Sequence, residues 1–277
     1  MSRLKYNFDQ IIQQVNLIRP PLVIVYTDMI DNNNVIYVPN ITSYTEFLDA
    51  TKPYDPIVID ISDPSASQKL AQSRRRRNVN PPSLKVKVLG GDGLYNDRAG
   101  SCSVGLWVYD NDGFYIITAG HCYEPGVWFH QPWGHNGPSL SIGSMVFDSK
   151  NVDFGVIFRE GENVAPTFII NNDESEQFKE LIITGSEVVS SHDVHICKSG
   201  YKTRLTCANV FGINGVWVSL DGRQVLYDLI ITGLRADTGD SGGSVLSFVS
   251  PQDLDLVVVH GIHITGGAAA EPIDQFQ

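Results

Sequence analysis

The sequence has no apolar run of membrane-spanning length, so no transmembrane helix is expected. It opens on Met1-Ser2-Arg3-Leu4-Lys5-Tyr6-Asn7 and runs into a mixed polar stretch, without the apolar core of a secretory leader. This fits either a cytosolic protein or a chain that lacks its true start. Cysteine is scarce: Cys102, Cys122, Cys197 and Cys207 are the four present, and none forms a Cys-x-x-Cys pair, which disfavours zinc. An even count with two local pairings, 102–122 and 197–207, suggests two disulfides, with four buried free thiols as the alternative. Disulfides would imply an oxidising compartment, against the missing leader. Charged residues are few, 18% against 42% hydrophobic, which leaves material for a substantial core and argues against global disorder.

Charge is unevenly placed along the 277 residues, whose net value is −11. Residues 1–87 carry 11 Lys/Arg against 8 Asp/Glu, and the remainder carries 9 against 23. An acidic main portion disfavours nucleic acid as a partner. The basic excess comes from Arg74-Arg75-Arg76-Arg77. Such a tract can bind polyanions or direct nuclear import. In a polar, Pro-containing stretch it reads better as an exposed linker or processing segment.

Residues 7–18 have Phe8, Ile11, Ile12, Val15 and Ile18 at helical spacing, and Pro20-Pro21 ends the pattern. Two β-rich runs, Leu22–Tyr26 and Val35–Val38, flank the turn-forming Asp31-Asn32-Asn33-Asn34 and predict a hairpin. A helical patch at Ser43–Ala50 and a strand at Ile57–Ile61 complete a small α+β unit over residues 1–63. Residues 64–87 read as a linker. From 88 to 277 the texture changes to short β-branched and aromatic runs between Gly, Asn and Asp turns. Among them are Cys102–Tyr109, Phe114–Thr118, Phe154–Phe158, Leu205–Val210, Gly215–Leu220 and Leu256–Ile264. Ten or more such strands indicate an all-β sandwich or barrel domain.

The chemistry concentrates in three places. Thr238-Gly239-Asp240-Ser241-Gly242-Gly243-Ser244 suits a tight turn that projects one hydroxyl and gathers backbone N–H groups beside it. A nucleophilic serine needs that layout, although a plain surface turn uses the same letters. In Ile116-Ile117-Thr118-Ala119-Gly120-His121-Cys122, an apolar strand ends in small residues and presents a histidine at once, where a general base could be held. In Asn151-Val152-Asp153-Phe154-Gly155-Val156-Ile157, an acid opens an apolar run and could be buried yet reach outward. Alone, that acid reads more simply as a turn residue or strand cap.

Together and in this order, Thr118–Cys122, Asp153 and Gly239–Gly243 resemble the signature blocks of the chymotrypsin-like serine proteases. The streptogrisin and α-lytic protease branch is the nearer likeness. Leu89-Gly90-Gly91-Asp92-Gly93-Leu94-Tyr95 resembles its mature N-terminus, Cys102-Ser103-Val104-Gly105 its first disulfide strand, and Cys197-Lys198-Ser199-Gly200 with Cys207 its second bridge. The resemblance covers roughly residues 88–270 and, more weakly, reads residues 20–63 as the end of a pro-region.

That resemblance implies two packed antiparallel six-stranded β-barrels, preceded by a small α+β pro-region that assists folding and inhibits until removed. It implies a catalytic triad of His121, Asp153 and Ser241, and an oxyanion hole from the backbone of Gly239 and Ser241. Asp240 would be anchored by Lys198. Thr265 would support the triad acid and, with Gly266 and Gly267, align substrate. It also implies bridges Cys102–Cys122 and Cys197–Cys207, no metal or cofactor, a peptide or protein substrate, and a secreted monomer.

The family normally continues through more pocket wall, a third disulfide and a helix. Here the chain stops within ten residues of Gly267, and Arg235 stands where one cysteine of that bridge would lie. The competing expectation is therefore a catalytically silent homologue that binds peptides. A pocket histidine selects acidic side chains in some relatives, which makes His260 and His263 candidates for a Glu/Asp preference, against a reading as alternating strand residues. An α/β-hydrolase elbow fits the five letters around Ser241, but that fold places its histidine last.

Overall fold

The computed structural model describes residues 3–29, 31–60, 85–135, 137–149, 151–265 and 269–276. Residues 64–84 of the expected linker, Arg74–Arg77 among them, and Gly266 and Gly267, expected to align substrate, lie outside the described residues.

The chain forms two compact units. The first joins the described residues through Asp60 with Phe211–Ile231, a segment that the sequence pattern assigns to the C-terminal domain. Its helix, Arg3–Ile18, begins one turn earlier than the apolar spacing predicts. Ile11 and Val15 lie one turn apart on its buried face. The strands Ile24–Asp28 and Asn33–Val38 pair antiparallel as the expected hairpin, and Ile57–Asp60 adds in parallel to the second. Ile24 and Val25 also pair antiparallel with Trp217 and Val216. Val23, Val25, Ile36, Val38, Phe47, Val216 and Val218 close over Ile11 and Val15 as one apolar core. Phe211–Ile231 joins this unit because it supplies both a strand partner and core side chains.

The second unit is built almost wholly of strands. Its first sheet runs, in spatial order, Gly100–Ser103, Gly93–Asn96, Val127–Gln131, Leu140–Asp148, Gly155–Phe158, Phe114–Thr118 and Leu106–Tyr109, with every neighbouring pair antiparallel. The two end strands are consecutive in sequence, separated by Val104-Gly105 alone, so the sheet must curl to bring its edges together. The expected strand Cys102–Tyr109 is thus one strand interrupted in its middle. Bulges at Ser141/Gly143 and Met145/Phe147 bend the long strand Leu140–Asp148 around the interior. Leu94, Ile116, Trp128, Ile142 and Ile157 fill that interior with no exposed surface.

The second set of strands runs Ile169–Asn171, Glu180–Ser186, Asp253–His263, Ser244–Ser250, His195–Gly200 and then the strand that begins at Arg204. It corrects one expectation. Glu180–Ser186 lies parallel to Asp253–His263, so the sheet is not purely antiparallel. These two strands are far apart in sequence, and the long intervening chain removes the hairpin constraint that would impose the antiparallel sense. Ile170, Leu181, Ile196, Leu246, Val257 and Ile262 are all sealed from solvent.

Candidate active site

The strand Phe114–Thr118 gives way through Ala119 to a short 3-10 turn, Gly120–Cys122, that carries His121. A disulfide joins Cys122 to Cys102 and ties this turn to the neighbouring strand. Asp153 stands just before Gly155–Phe158, which pairs with the histidine strand at Gly155↔Thr118. Two adjacent strand ends therefore bring His121 and Asp153 together. A Cβ on Gly120 would lie 2.9 Å from the Phe154 carbonyl oxygen and 3.1 Å from Asp153 Oδ1, so the glycine permits the approach.

Asp153 holds His121 at two points. The His121 backbone N–H donates to Oδ1 at 2.7 Å, and ring Nδ1 lies 2.6 Å from Oδ2. In the neutral ring this contact favours the tautomer with the proton on Nδ1, facing the carboxylate, and the lone pair on Nε2. Asp153 is 2% exposed. The His121 side chain is 42% exposed, so the ring remains accessible at its far edge. Burial alone would lower the histidine's affinity for a proton. The Asp153 hydrogen bond and charge outweigh it and raise His121 above its ordinary value.

Ser241 sits in a turn stretched between two positive-φ glycines, Gly239 at +107° and Gly242 at +87°. Gly243 N–H donates to the Asp240 carbonyl at 3.0 Å, and Asp240 N–H to the Asp237 carbonyl at 2.9 Å. The turn is also stitched to its surroundings. Ser103 N–H donates to the Ser241 carbonyl at 2.7 Å, and Ser103 Oγ to the Gly239 carbonyl at 2.8 Å. Gly242 N–H donates to the His263 carbonyl at 2.7 Å. Among the described residues the amides of Gly239 and Ser241 have no acceptor, which leaves both free to bind a substrate oxygen.

The Ser241 hydroxyl makes no hydrogen bond to His121 among the described residues. What joins the two blocks is backbone contact. A Cβ on Gly242 would collide with Thr118 Oγ1 and lie 2.8 Å from Ala119 N, so the serine turn backs directly onto the strand end that presents the histidine.

Beneath the turn, Lys198 Nζ lies 3.3 Å from Asp240 Oδ2, with neither side chain exposed. Asp240 accepts four further bonds: from Lys202 N–H at 2.8 Å, Thr203 N–H at 3.0 Å, Thr203 Oγ1 at 2.7 Å and Asp237 N–H at 2.9 Å. Burial would raise the Asp240 pKa, but Lys198 and these donors hold it below the usual carboxylate value. Burial pushes Lys198 down, and Asp240 offsets only part of that. Sequence reasoning reached Lys198 but missed Thr203 and Ser103. The disulfide-strand likeness that contains Ser103 gives it no role, and no motif contains Thr203; the fold alone brings both to the turn.

Thr265 is half-buried just past the strand Asp253–His263, and its hydroxyl makes no hydrogen bond to Asp153. His260 and His263, the two candidates for an acidic preference, are both buried. His260 is held by the Glu187 carbonyl and Ser247 Oγ, both at 2.8 Å. His263 is 1% exposed, and burial, with Lys198 nearby, pushes its pKa down to about 3. Burial also lowers the pKa of His260 from its ordinary value. His195, Cys197 and Cys207 place candidate metal-ligand atoms within 4.8 Å of one another, but both sulfurs are joined in a disulfide.

The fold these strands define is the chymotrypsin-like one. Protease A of Thermobifida fusca superimposes with a TM-score of 0.55 at 21% identity, over 69% of this chain and 94% of that one. In sequence the chain is similar to Serine protease 2 of Streptomyces fradiae, 28% identical over 165 residues, covering 58% of this chain and 88% of that protein. It is also similar to Streptogrisin-A of Streptomyces griseus, 28% identical over 185 residues, covering 65% of this chain and 56% of that protein. No family model matches the chain. Relatives of this kind support a serine endopeptidase.

Proposed function

We propose that Ser241, His121 and Asp153 form a catalytic triad that hydrolyses peptide bonds. Ser241 Oγ attacks the scissile carbonyl while His121 Nε2 takes its proton and then gives it to the leaving amine. Asp153 keeps the ring in the productive tautomer and stabilises the imidazolium. The oxyanion that forms is met by the amides of Gly239 and Ser241, and collapse leaves an acyl-enzyme that water releases. The observation that carries this reading is the two-point grip of buried Asp153 on exposed His121. A peptidyl phosphonate should label Ser241, with labelling lost in Ser241→Ala and strongly slowed in His121→Ala.

A catalytically silent peptide-binding homologue is the second reading. The missing Ser241–His121 hydrogen bond favours it, although catalytic hydrogen bonds are often long without substrate. Peptide binding by a chain that phosphonate never labels would establish that reading.

The N-terminal unit is read as a partial pro-region that aids folding and inhibits until cut within 64–87. Its sharing of Phe211–Ile231 supports this, because a detachable unit can then template part of the mature chain. The two disulfides support secretion. N-terminal sequencing of secreted protein would reject the maturation reading if residues 1–60 remain attached.

A further inference from the structure

Lys202 lies against the oxyanion turn. Gly239 has no side chain, and the Lys202 stem occupies the space beside its Cα. A Cβ built there would lie 2.9 Å from Lys202 Cγ and 3.3 Å from Cε. The lysine's own backbone is anchored, because its N–H donates to Asp240 Oδ1 at 2.8 Å. Stem and backbone therefore sit on the same turn that carries Ser241. The ammonium, one bond beyond Cε, lies 5.4 Å from the Tyr201 ring centroid and has no carboxylate partner among the described residues.

The neighbouring charges are already used. Asp240 is buried against Lys198. Arg204 stacks on Trp133 at 4.7 Å and meets Glu174 at 3.4 Å. Asp237 is exposed, and its side chain is turned to the Thr238 N–H at 2.7 Å. An exposed ammonium held beside the proposed oxyanion hole, in a portion of chain with 9 Lys/Arg against 23 Asp/Glu, is a local positive point in a negative field. A peptide carboxylate approaching this acidic portion is favoured near such a point.

We infer that Lys202 is a specificity-determining residue that recognises a carboxylate side chain on the peptide, at a position flanking the cleaved bond. The inference rests on the proposed oxyanion role of Gly239. The lysine stem packs on the glycine that binds the reacting carbonyl, so a side chain one or two residues from that carbonyl comes within reach of the ammonium. An exposed pair of this kind contributes modestly and weakens with salt.

The test uses the whole chain and quenched fluorescent peptides of one sequence, with Glu, Gln or Lys placed singly at each flanking position. At one position the wild-type kcat/KM ratio of Glu to Gln peptide should be about two to five. The ratio should fall to about one in Lys202→Gln, invert in Lys202→Glu, and shrink as salt is raised. The same peptides, labelled, are also bound to Ser241→Ala with and without Lys202→Gln and followed by anisotropy. A Glu preference in binding that disappears with Lys202→Gln, in a chain that phosphonate does not label, would sink the catalytic reading and keep this one. Cleavage with equal Glu and Gln rates at every position, a preference that survives Lys202→Gln, or no preference in either assay overturns it.

Discussion

Lys198 and Asp240 form an ion pair with no exposed surface directly under the turn that carries Ser241. Two charges removed from water are held only if their remaining hydrogen-bonding sites are filled. Here Thr203 Oγ1 accepts from Lys198 Nζ at 2.7 Å and donates to Asp240 Oδ2 at 2.7 Å, and three backbone N–H groups fill the rest of the carboxylate. A lysine brings one point charge where an arginine would bring a fork, and the threonine makes up the difference. The whole assembly fixes the backbone of the turn that carries Ser241.

Breaking this pair from one side should cost more than removing it. Lys198→Met and Asp240→Asn should each destabilise by about 3–5 kcal/mol, while the double variant should lose less than the sum. Urea unfolding of the four proteins checks the cycle. Purely additive losses would mean that the two charges do not depend on each other.

The same pair sets two pH limits. The folded-state pKa of Asp240 is depressed, so its contribution is present above the ordinary value of 3.8 and is lost as pH falls through the lowered value. Lys198 is also lowered, from 10.5, so on stability alone its charged form opposes folding, and that cost fades as pH rises from the lowered value towards 10.5. Function runs the other way, because a neutral Lys198 leaves Asp240 without its counter-charge. Phosphonate labelling of Ser241 should fall at a pH below 10.5 while circular dichroism stays native. Labelling that persists until the protein unfolds would contradict this.

If the proposed triad operates, His121 should give the acid limb of activity. Its pKa is raised by Asp153, so the neutral base appears only as pH climbs above the ordinary 6.5. The sign for stability is opposite: the His121–Asp153 contribution is full below 6.5 and is lost as pH rises through the raised value. Asp153→Asn removes the charge while burial remains, so the acid limb should move to lower pH. The labelling rate should drop by about 10⁴ because the tautomer is no longer enforced. An unmoved limb would assign it to another group.

Gly242 and Gly134 separate space from backbone angle. Both have positive φ, +87° and +75°. A Cβ at Gly134 meets nothing within 4 Å, whereas at Gly242 it enters the space of Thr118 Oγ1, the Ser103 carbonyl and Ala119 N. Gly134→Ala should cost about 1 kcal/mol and keep labelling intact. Gly242→Ala should abolish labelling or prevent folding, since backbone and a buried hydroxyl would have to move. Equal effects at the two sites would show that the close packing of turn against strand is unimportant.

The two disulfides should differ in function more than in stability. Loops of 20 and 10 residues predict similar losses of about 3 kcal/mol each when the bridge is replaced by paired alanines. Only Cys102–Cys122 borders His121, so its removal should slow Ser241 labelling at a temperature where both variants stay folded. Equal slowing would place the effect in general loosening.

The sequence by itself determined the local features. Apolar spacing marks the first helix, Asn-rich turn chemistry marks the first hairpin, and small residues around His121 and Ser241 mark two backbone turns that no bulky side chain could enter. These are near-neighbour effects, and neighbours in sequence suffice to read them. The order His121, Asp153, Ser241 was legible as well.

Only the tertiary structure decided the rest, because it depends on contacts between residues far apart in the chain. Ser103, 138 residues before Ser241, donates to the carbonyl of that residue. Thr203 becomes part of the Asp240 anchor only once the strands ending at Gly200 and beginning at Arg204 are paired. Phe211–Ile231 joins the N-terminal unit because Val216 and Val218 complete an apolar core there. His260 and His263, which the resemblance offers as candidates for an acidic preference, are buried by packing. The serine turn first read as two glycines around a hydroxyl is, in three dimensions, a loop clamped from Ser103, from His263 and from a buried lysine.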